Sequence, residues 1–87
     1  MAGVWVASLN RFGYDLLVVE RTKQKALEAM SREYTEKYFR INRDFGQMPF
    51  DTMEEMVELD EEFLERYAVA MEEVYCRRLE YGKVEWW

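Results

Sequence analysis

Pro49, the only proline in the chain, lies with Gly46 in the middle of a long stretch whose apolar residues recur at helical spacing. A proline has no amide hydrogen to donate and its ring collides with the preceding turn, so it ends a helix rather than continuing one. The stretch therefore cannot be a single long helix. Residues 43–50 are predicted to be a loop with helical segments on either side.

Upstream of that loop, Thr22 is placed to cap a helix running through Asn42, with Leu27, Met30, Tyr34, Tyr38 and Ile41 forming its apolar face. Downstream, Thr52 followed by Glu55 makes a capping box. In the next segment Phe63, Leu64, Tyr67, Met71, Val74 and Tyr75 share a face, and Asp60 would fall at its centre if the helix were unbroken. A carboxylate there would be buried. Asp60 is accordingly read as the cap of a second piece, giving a short helix at 53–59 and a longer one at 61–81, with Gly82 as its left-handed terminator.

The N-terminal segments Val4–Leu9 and Asp15–Glu20 are rich in β-branched and apolar residues and read as a hairpin, with Gly13 supplying a positive-φ position in the connection. Trp5, Ala7 and Leu9 share one face, and Val4 and Val6 the other. One face should pack on helices, leaving the other partly covered. Lys83–Trp87 alternates as a terminal strand. The expected fold is α+β in the order ββααβ, with a short helical piece before the second main helix and a small, mainly antiparallel sheet. Residues 1–87 are expected to form one domain, since a chain of this length has about the size of one small core.

With 49% hydrophobic residues the chain has enough apolar surface to fold without metal or disulfide, and Cys76 is its single cysteine. The N-terminus lacks a secretory signal and no apolar run reaches the roughly 20 residues of a membrane span, so a cytoplasmic protein is expected. The net charge of −6 is unevenly distributed: residues 1–43 carry eight basic and five acidic side chains, and residues 44–87 carry four and thirteen. Such polarity points to a charged partner, or to attraction between the protein's own halves.

Enzymatic readings are disfavoured. There is no histidine for proton transfer near neutral pH. Paired carboxylates need a cleft that separates their pKa values, for which so small a domain offers little room. Cys76 projects onto the outer face of the predicted long helix beside Glu72, Glu73 and Glu80, where carboxylates oppose thiolate formation. The Asp-x-Asp-x-Asp-Gly loop of calcium sites is absent, and neither a metal nor another cofactor is expected.

The feature above background is the acidic run Glu54, Glu55, Glu58, Asp60, Glu61, Glu62 and Glu65, seven carboxylates in twelve positions with no basic residue among them. Glu62, Glu65, Glu72, Glu73 and Glu80 would extend it along one face of the long helix, over roughly 27 Å at 1.5 Å per residue. A row of that kind can present charge comparable to a nucleic-acid strand. Glutamate-rich faces also simply keep small proteins soluble, but a purely structural face normally intersperses lysines at i+4 to relieve repulsion. Arg21, Lys25, Arg32, Arg40 and Arg43 form a basic counterpart on the first helix. Glu28, Glu33 and Glu36 interrupt it, and a pI near 4.7 is far from that of nucleic-acid binders, so direct nucleic-acid contact is not expected.

Met48, Phe50, Met53 and Met56 gather around the proline loop, and Met53 and Met56 would serve as adaptable apolar anchors within the acidic rim. Trp5 and Trp86 are expected in the core and Trp87 outside it. In size, acidity and the carboxylate run from Glu54 to Glu65, the chain resembles the small phage-encoded inhibitors of host defence, the anti-CRISPR and anti-restriction DNA mimics. That resemblance implies a protein that occupies the nucleic-acid groove of a CRISPR effector or similar nuclease in a bacterial host. Two other readings are carried beside it. One is a regulatory or structural homodimer formed through the uncovered sheet face or by helix pairing; the other is a small nucleic-acid binder using Arg21, Lys25, Arg32 and Arg43.

Overall fold

The hairpin turns on two residues. A computed structural model of the chain describes residues 3–80, in which β1 (Gly3–Arg11) pairs antiparallel with β2 (Tyr14–Glu20) down to Arg11 opposite Tyr14. Phe12 (φ 60°) and Gly13 (φ 78°) make the connection. Positive φ at both central positions is the type I′ pattern, whose backbone twist matches that of the strands it joins. The turn is therefore tighter than a connection spanning residues 10–14. Gly13 adopts the left-handed region as expected, while Phe12 adopts it despite its side chain.

Alternation along the strands separates two faces. Ala7, Leu9 and Leu16 are buried, with Leu9 directly opposite Leu16. Trp5 shares their face but is half-buried rather than a core residue, because it lies opposite Glu20 on one side and Arg78 on the other, with Lys23 Nζ 5.9 Å from its ring centroid. A large ring between charged neighbours cannot be fully enclosed.

The third strand, β3, is Tyr75–Glu80, antiparallel to β1 on the side away from β2, giving the order β2-β1-β3. This overturns the helix predicted at 61–81. Val74 and Tyr75 continue the helical periodicity, but Tyr75–Leu79 also supplies the amides and carbonyls that satisfy the second edge of β1, and strand pairing prevails. Cys76 consequently lies in a strand opposite Ala7, half-buried, rather than on a helix surface. Gly82 as a helix terminator, the strand at Lys83–Trp87, and the placements of Trp86 and Trp87 lie outside the described residues. The sheet with its helices is an α+β arrangement in the expected ββααβ order.

The first helix, α1 (Lys23–Asp44), begins where Thr22 Oγ1 accepts a bond from the Lys25 amide at 3.1 Å. Its far end is closed by bonds from the Gly46 amide to the Arg43 carbonyl (3.0 Å) and from the Gln47 amide to the Asn42 carbonyl (2.8 Å), with Gly46 at φ 70°. That pair of bonds is the Schellman motif, which uses a left-handed residue to satisfy carbonyls the helix leaves open. Met30, Tyr34 and Tyr38 are buried as the periodicity predicts, whereas Leu27 is exposed and Ile41 half-buried.

The chain divides into two compact units, and α1 contributes to both. Among the described residues the sheet unit comprises 3–30 with 74–80, and Ala7, Leu9, Leu16, Ala26 and Met30 are its buried apolar residues. The helical unit, Ser31–Glu73, holds the rest of α1, a short helix α2 (Met53–Leu59) and α3 (Glu61–Glu72). Its core is aromatic. Phe63 sits 5.2 Å from Tyr38, 5.6 Å from Tyr67 and 6.3 Å from Tyr34, centroid to centroid, at the tilted and edge-on angles that ring quadrupoles favour. The Tyr67 hydroxyl is hydrogen-bonded to Ser31 Oγ, and the buried Thr35 hydroxyl donates to the Ser31 carbonyl at 2.7 Å, so these polar atoms enter the core partnered.

Candidate functional site

Two caps build the acidic surface. Thr52 Oγ1 accepts from the Glu55 amide at 3.2 Å to start α2, while Glu55 Oε1 lies 3.2 Å from the Thr52 hydroxyl and accepts its hydrogen. Asp60, in extended conformation (φ −85°, ψ 101°), ends α2 with its own amide bonded to Met56 O at 2.9 Å. It also starts α3, its Oδ1 accepting from the Phe63 amide at 3.1 Å. Asp60 thus splits the helical segment where its buried position would have been costly.

With α2 and α3 so placed, the acids point away from the core. On α2, Glu54 and Glu58 project opposite the fully buried Met56; on α3, Glu61, Glu65 and Glu72 project opposite Phe63 and Ala70. Glu54, Glu55, Glu58, Glu61, Glu62 and Glu65 are exposed, and Asp60 is half-buried. Arg66 Nη2 reaches Glu62 Oε1 at 3.1 Å, an exposed pair of modest strength. The helical unit contains five basic and thirteen acidic side chains, a net −8, whereas the sheet unit is +2. The asymmetry seen between the halves of the sequence persists between the units, with Arg77 and Arg78 in the sheet unit and Arg32, Lys37, Arg40 and Arg43 in the helical unit.

The predicted single row of carboxylates is replaced by a shorter surface. Since α3 ends at Glu72, Glu73 caps it and Glu80 lies in β3, so the row of Glu62, Glu65, Glu72, Glu73 and Glu80 does not exist. Twelve residues of α3 span about 18 Å at 1.5 Å per residue. Met56 is not an accessible anchor, because its relative exposure is 0%. Met53 and Phe50 are half-buried and keep a partial surface beside the acids, while Leu59, 60% exposed, is an apolar residue within the run that the anchors predicted from sequence did not include. Its only sequence signal was its position between Glu58 and Asp60, at the last residue of α2.

A cavity of 290 Å³ adjoins the junction of α2 and α3, lined by Tyr38, Asn42, Gln47, Met48, Pro49, Asp60 and Glu62. It brings two members of the predicted acidic run together with residues that the sequence reading assigned to a helix core and a loop. Tyr38, Asn42 and Gln47 carry no motif, so only the closing of α1 onto the proline loop identifies them. Burial raises the Tyr38 phenol above its ordinary value of 10.0, the carboxylates of Asp60 and Glu62 raise it further, and Arg66 opposes the shift.

A raised phenol value makes stability depend on alkaline pH. Below the unfolded phenol value both states hold the proton, and above it the unfolded chain ionises first, so stability is lost as pH rises from 10.0 through the folded value. Urea midpoints measured across alkaline pH are expected to fall less steeply for Tyr38→Phe than for the parent chain. Parallel slopes would show that Tyr38 titrates as if unfolded.

The reverse side of the sheet unit has a different character. Leu17 (63% exposed), Val19 (55%), Tyr75 (62%) and Leu79 (43%) lie on the sheet face opposite Ala7 and Leu9, beside Val4 and Val6. The five bases predicted on the first helix are exposed but divided: Arg21 precedes α1 and, with Lys25, belongs to the sheet unit, whereas Arg32, Arg40 and Arg43 belong to the helical unit, Arg43 with its guanidinium 5.5 Å from the Phe39 ring centroid. Among the described residues, no group of three or more Cys, Asp or Glu side chains is arranged to hold a metal ion, and no helix is long and apolar enough to cross a membrane. No protein-family model matches the chain, and neither a curated protein nor a solved structure matches it.

Proposed function

We propose that the chain is a non-catalytic inhibitor that lays the acidic surface of α2 and α3 against the basic nucleic-acid groove of a larger enzyme, a CRISPR effector or comparable nuclease, and excludes DNA or RNA from it. Its place of action is the cytoplasm, where such enzymes meet their substrates. One observation carries this reading. Glu54 and Glu58, and likewise Glu61 and Glu65, are exposed like-charge pairs at i,i+4 spacing, an arrangement that destabilises a helix by a few tenths of a kcal/mol per pair.

Part of the run has a local explanation. Glu54, Glu55, Glu61 and Glu62 occupy first helical turns, where the helix dipole favours a negative charge. Glu58 and Glu65 lie beyond those turns and gain nothing from the dipole. Their repulsion is accounted for by a positively charged partner surface.

The test is an affinity capture from bacterial lysate at low salt with the tagged chain, followed by elution with salt and with competing DNA. Recovery of a nucleic-acid enzyme that both treatments release supports the reading. A partner that ignores both removes it.

Self-association through the outer sheet face is the second reading, favoured by the exposed Leu17, Val19, Tyr75 and Leu79. An apolar face is self-complementary, and an isologous dimer buries two copies at once. Sedimentation velocity is expected to show a dimer that persists at high salt if this face is an interface. A monomer at all accessible concentrations eliminates it.

A further inference from the structure

We propose that the cavity bounded by the end of α1, the Gln47–Pro49 loop and the start of α3 receives the guanidinium group of an arginine side chain of the bound partner. This rests on the reading of α2 and α3 as a surface for a basic protein and specifies the contact at its centre. The volume of 290 Å³ is several times the roughly 30 Å³ of a water molecule and at the bottom of the roughly 300–1,000 Å³ range of cofactor and drug-sized sites. It suits a side chain.

The lining selects the chemistry. Asp60 Oδ1 already accepts the Phe63 amide and Glu62 Oε1 the Arg66 guanidinium, and a carboxylate has about four lone-pair sites, so both retain acceptor capacity. Asn42 Nδ2 donates one of its two hydrogens to the Tyr38 carbonyl at 2.8 Å, a bond that fixes the amide and leaves Oδ1 as an acceptor. Gln47 adds a second amide, and Met48 and Pro49 provide an apolar wall for the methylene stem of a long cationic side chain. Acceptors from α1, the loop and α3 match a planar group with five N–H donors better than a compact ammonium ion. Among the described residues, no group of three or more Cys, Asp or Glu side chains is arranged here to hold a metal ion.

The position fits the larger surface. Asp60 sits between Glu58 and Glu61, so an arginine entering here would be flanked by the exposed acids of both helices. Arginine in a partly desolvated pocket is the usual form of a dominant interface contact, in contrast with rim charges.

The probe is ethylguanidinium chloride, titrated into the ¹⁵N-labelled full chain at constant ionic strength, with ethylammonium chloride, magnesium chloride and sodium chloride in parallel. Saturable shifts of the Asn42 and Gln47 side-chain amides and the Phe63 backbone amide are expected with ethylguanidinium. Binding should weaken about tenfold in Asp60→Asn/Glu62→Gln, the loss of charge-assisted bonds at one site. Asparagine at position 60 keeps an acceptor for the α3 cap, and Glu62→Gln alone, at an exposed position, gives the same direction of change if the double variant fails to fold. Absence of saturation, an equal response to ethylammonium or magnesium, or unaltered binding by Glu62→Gln overturns the proposal. Affinity capture separates the pocket from the surface around it. Partner capture retained by Asp60→Asn/Glu62→Gln at unchanged salt sensitivity removes the arginine pocket alone, whereas capture unaffected by reversing Glu58, Glu61 and Glu65 removes the acidic-surface reading itself.

Discussion

Phe63→Ala is expected to lower stability by about 3–5 kcal/mol, the usual cost of removing a buried aromatic ring. A chain of 87 residues has a total of about 4–13 kcal/mol, so this change alone consumes much or all of it. Phe63 is 2% exposed and its ring lies among those of Tyr34, Tyr38 and Tyr67, contributed by α1 and α3. The three tyrosines cannot simply close over the gap, because the Tyr67 hydroxyl is held by Ser31. Urea unfolding followed by circular dichroism measures the effect, with Leu59→Ala as the exposed counterpart, expected within about 0.5 kcal/mol of the parent. A Phe63→Ala loss no larger than that of Leu59→Ala would mean that the helical unit is not organised around this ring.

The second large effect concerns association. Reversing Glu58, Glu61 and Glu65 to lysine changes the helical unit from −8 to −2 and the whole chain from −6 to neutral. Steering by complementary fields speeds encounter by about 10–10³-fold, so the on-rate for the captured enzyme at low salt is expected to fall by at least about tenfold. Dissociation should change less, since exposed ion pairs contribute only about 0–1 kcal/mol each. The variant should still fold. In Glu58→Lys the new cation stands at i+4 from Glu54 and relieves a repulsion, offsetting the roughly 0.3–1 kcal/mol cost of a cation at position 61 in the first turn of α3. Surface plasmon resonance over a salt series reads both rates, and an on-rate equal to that of the parent would exclude electrostatic steering by these residues.

The candidate surface was legible in the sequence where it depends on local chemistry. Glu54 to Glu65 could be recognised as a run without interspersed bases, and the caps at Thr52 and Asp60 followed from hydrogen-bonding preferences acting within three residues. What that reading could not supply was the orientation of Met56. Its place among acidic residues suggested an accessible anchor, yet one turn of α2 directs it fully into the core while Leu59 faces outward. The cavity was equally hidden, for it needs residues from α1, the loop after it and α3 to converge.

By itself the sequence determined the hairpin, the start of α1, the break at the proline loop and the division of α2 from α3 at Asp60. All of these are set by backbone hydrogen bonds, turn geometry and periodicity over a few residues. Tertiary structure decided the fate of the segment after Glu73. Val74 and Tyr75 satisfy both a helical repeat and a strand, and only the unsatisfied edge of β1, distant in sequence, selects the strand. That selection shortens α3 and places Cys76, Arg77, Arg78 and Glu80 in the sheet. The pairing adds one net positive charge to the sheet unit and leaves the acidity of the helical unit to its own residues; the strand itself was hidden because local propensity cannot register hydrogen-bonding groups that the fold brings alongside from the other end of the chain.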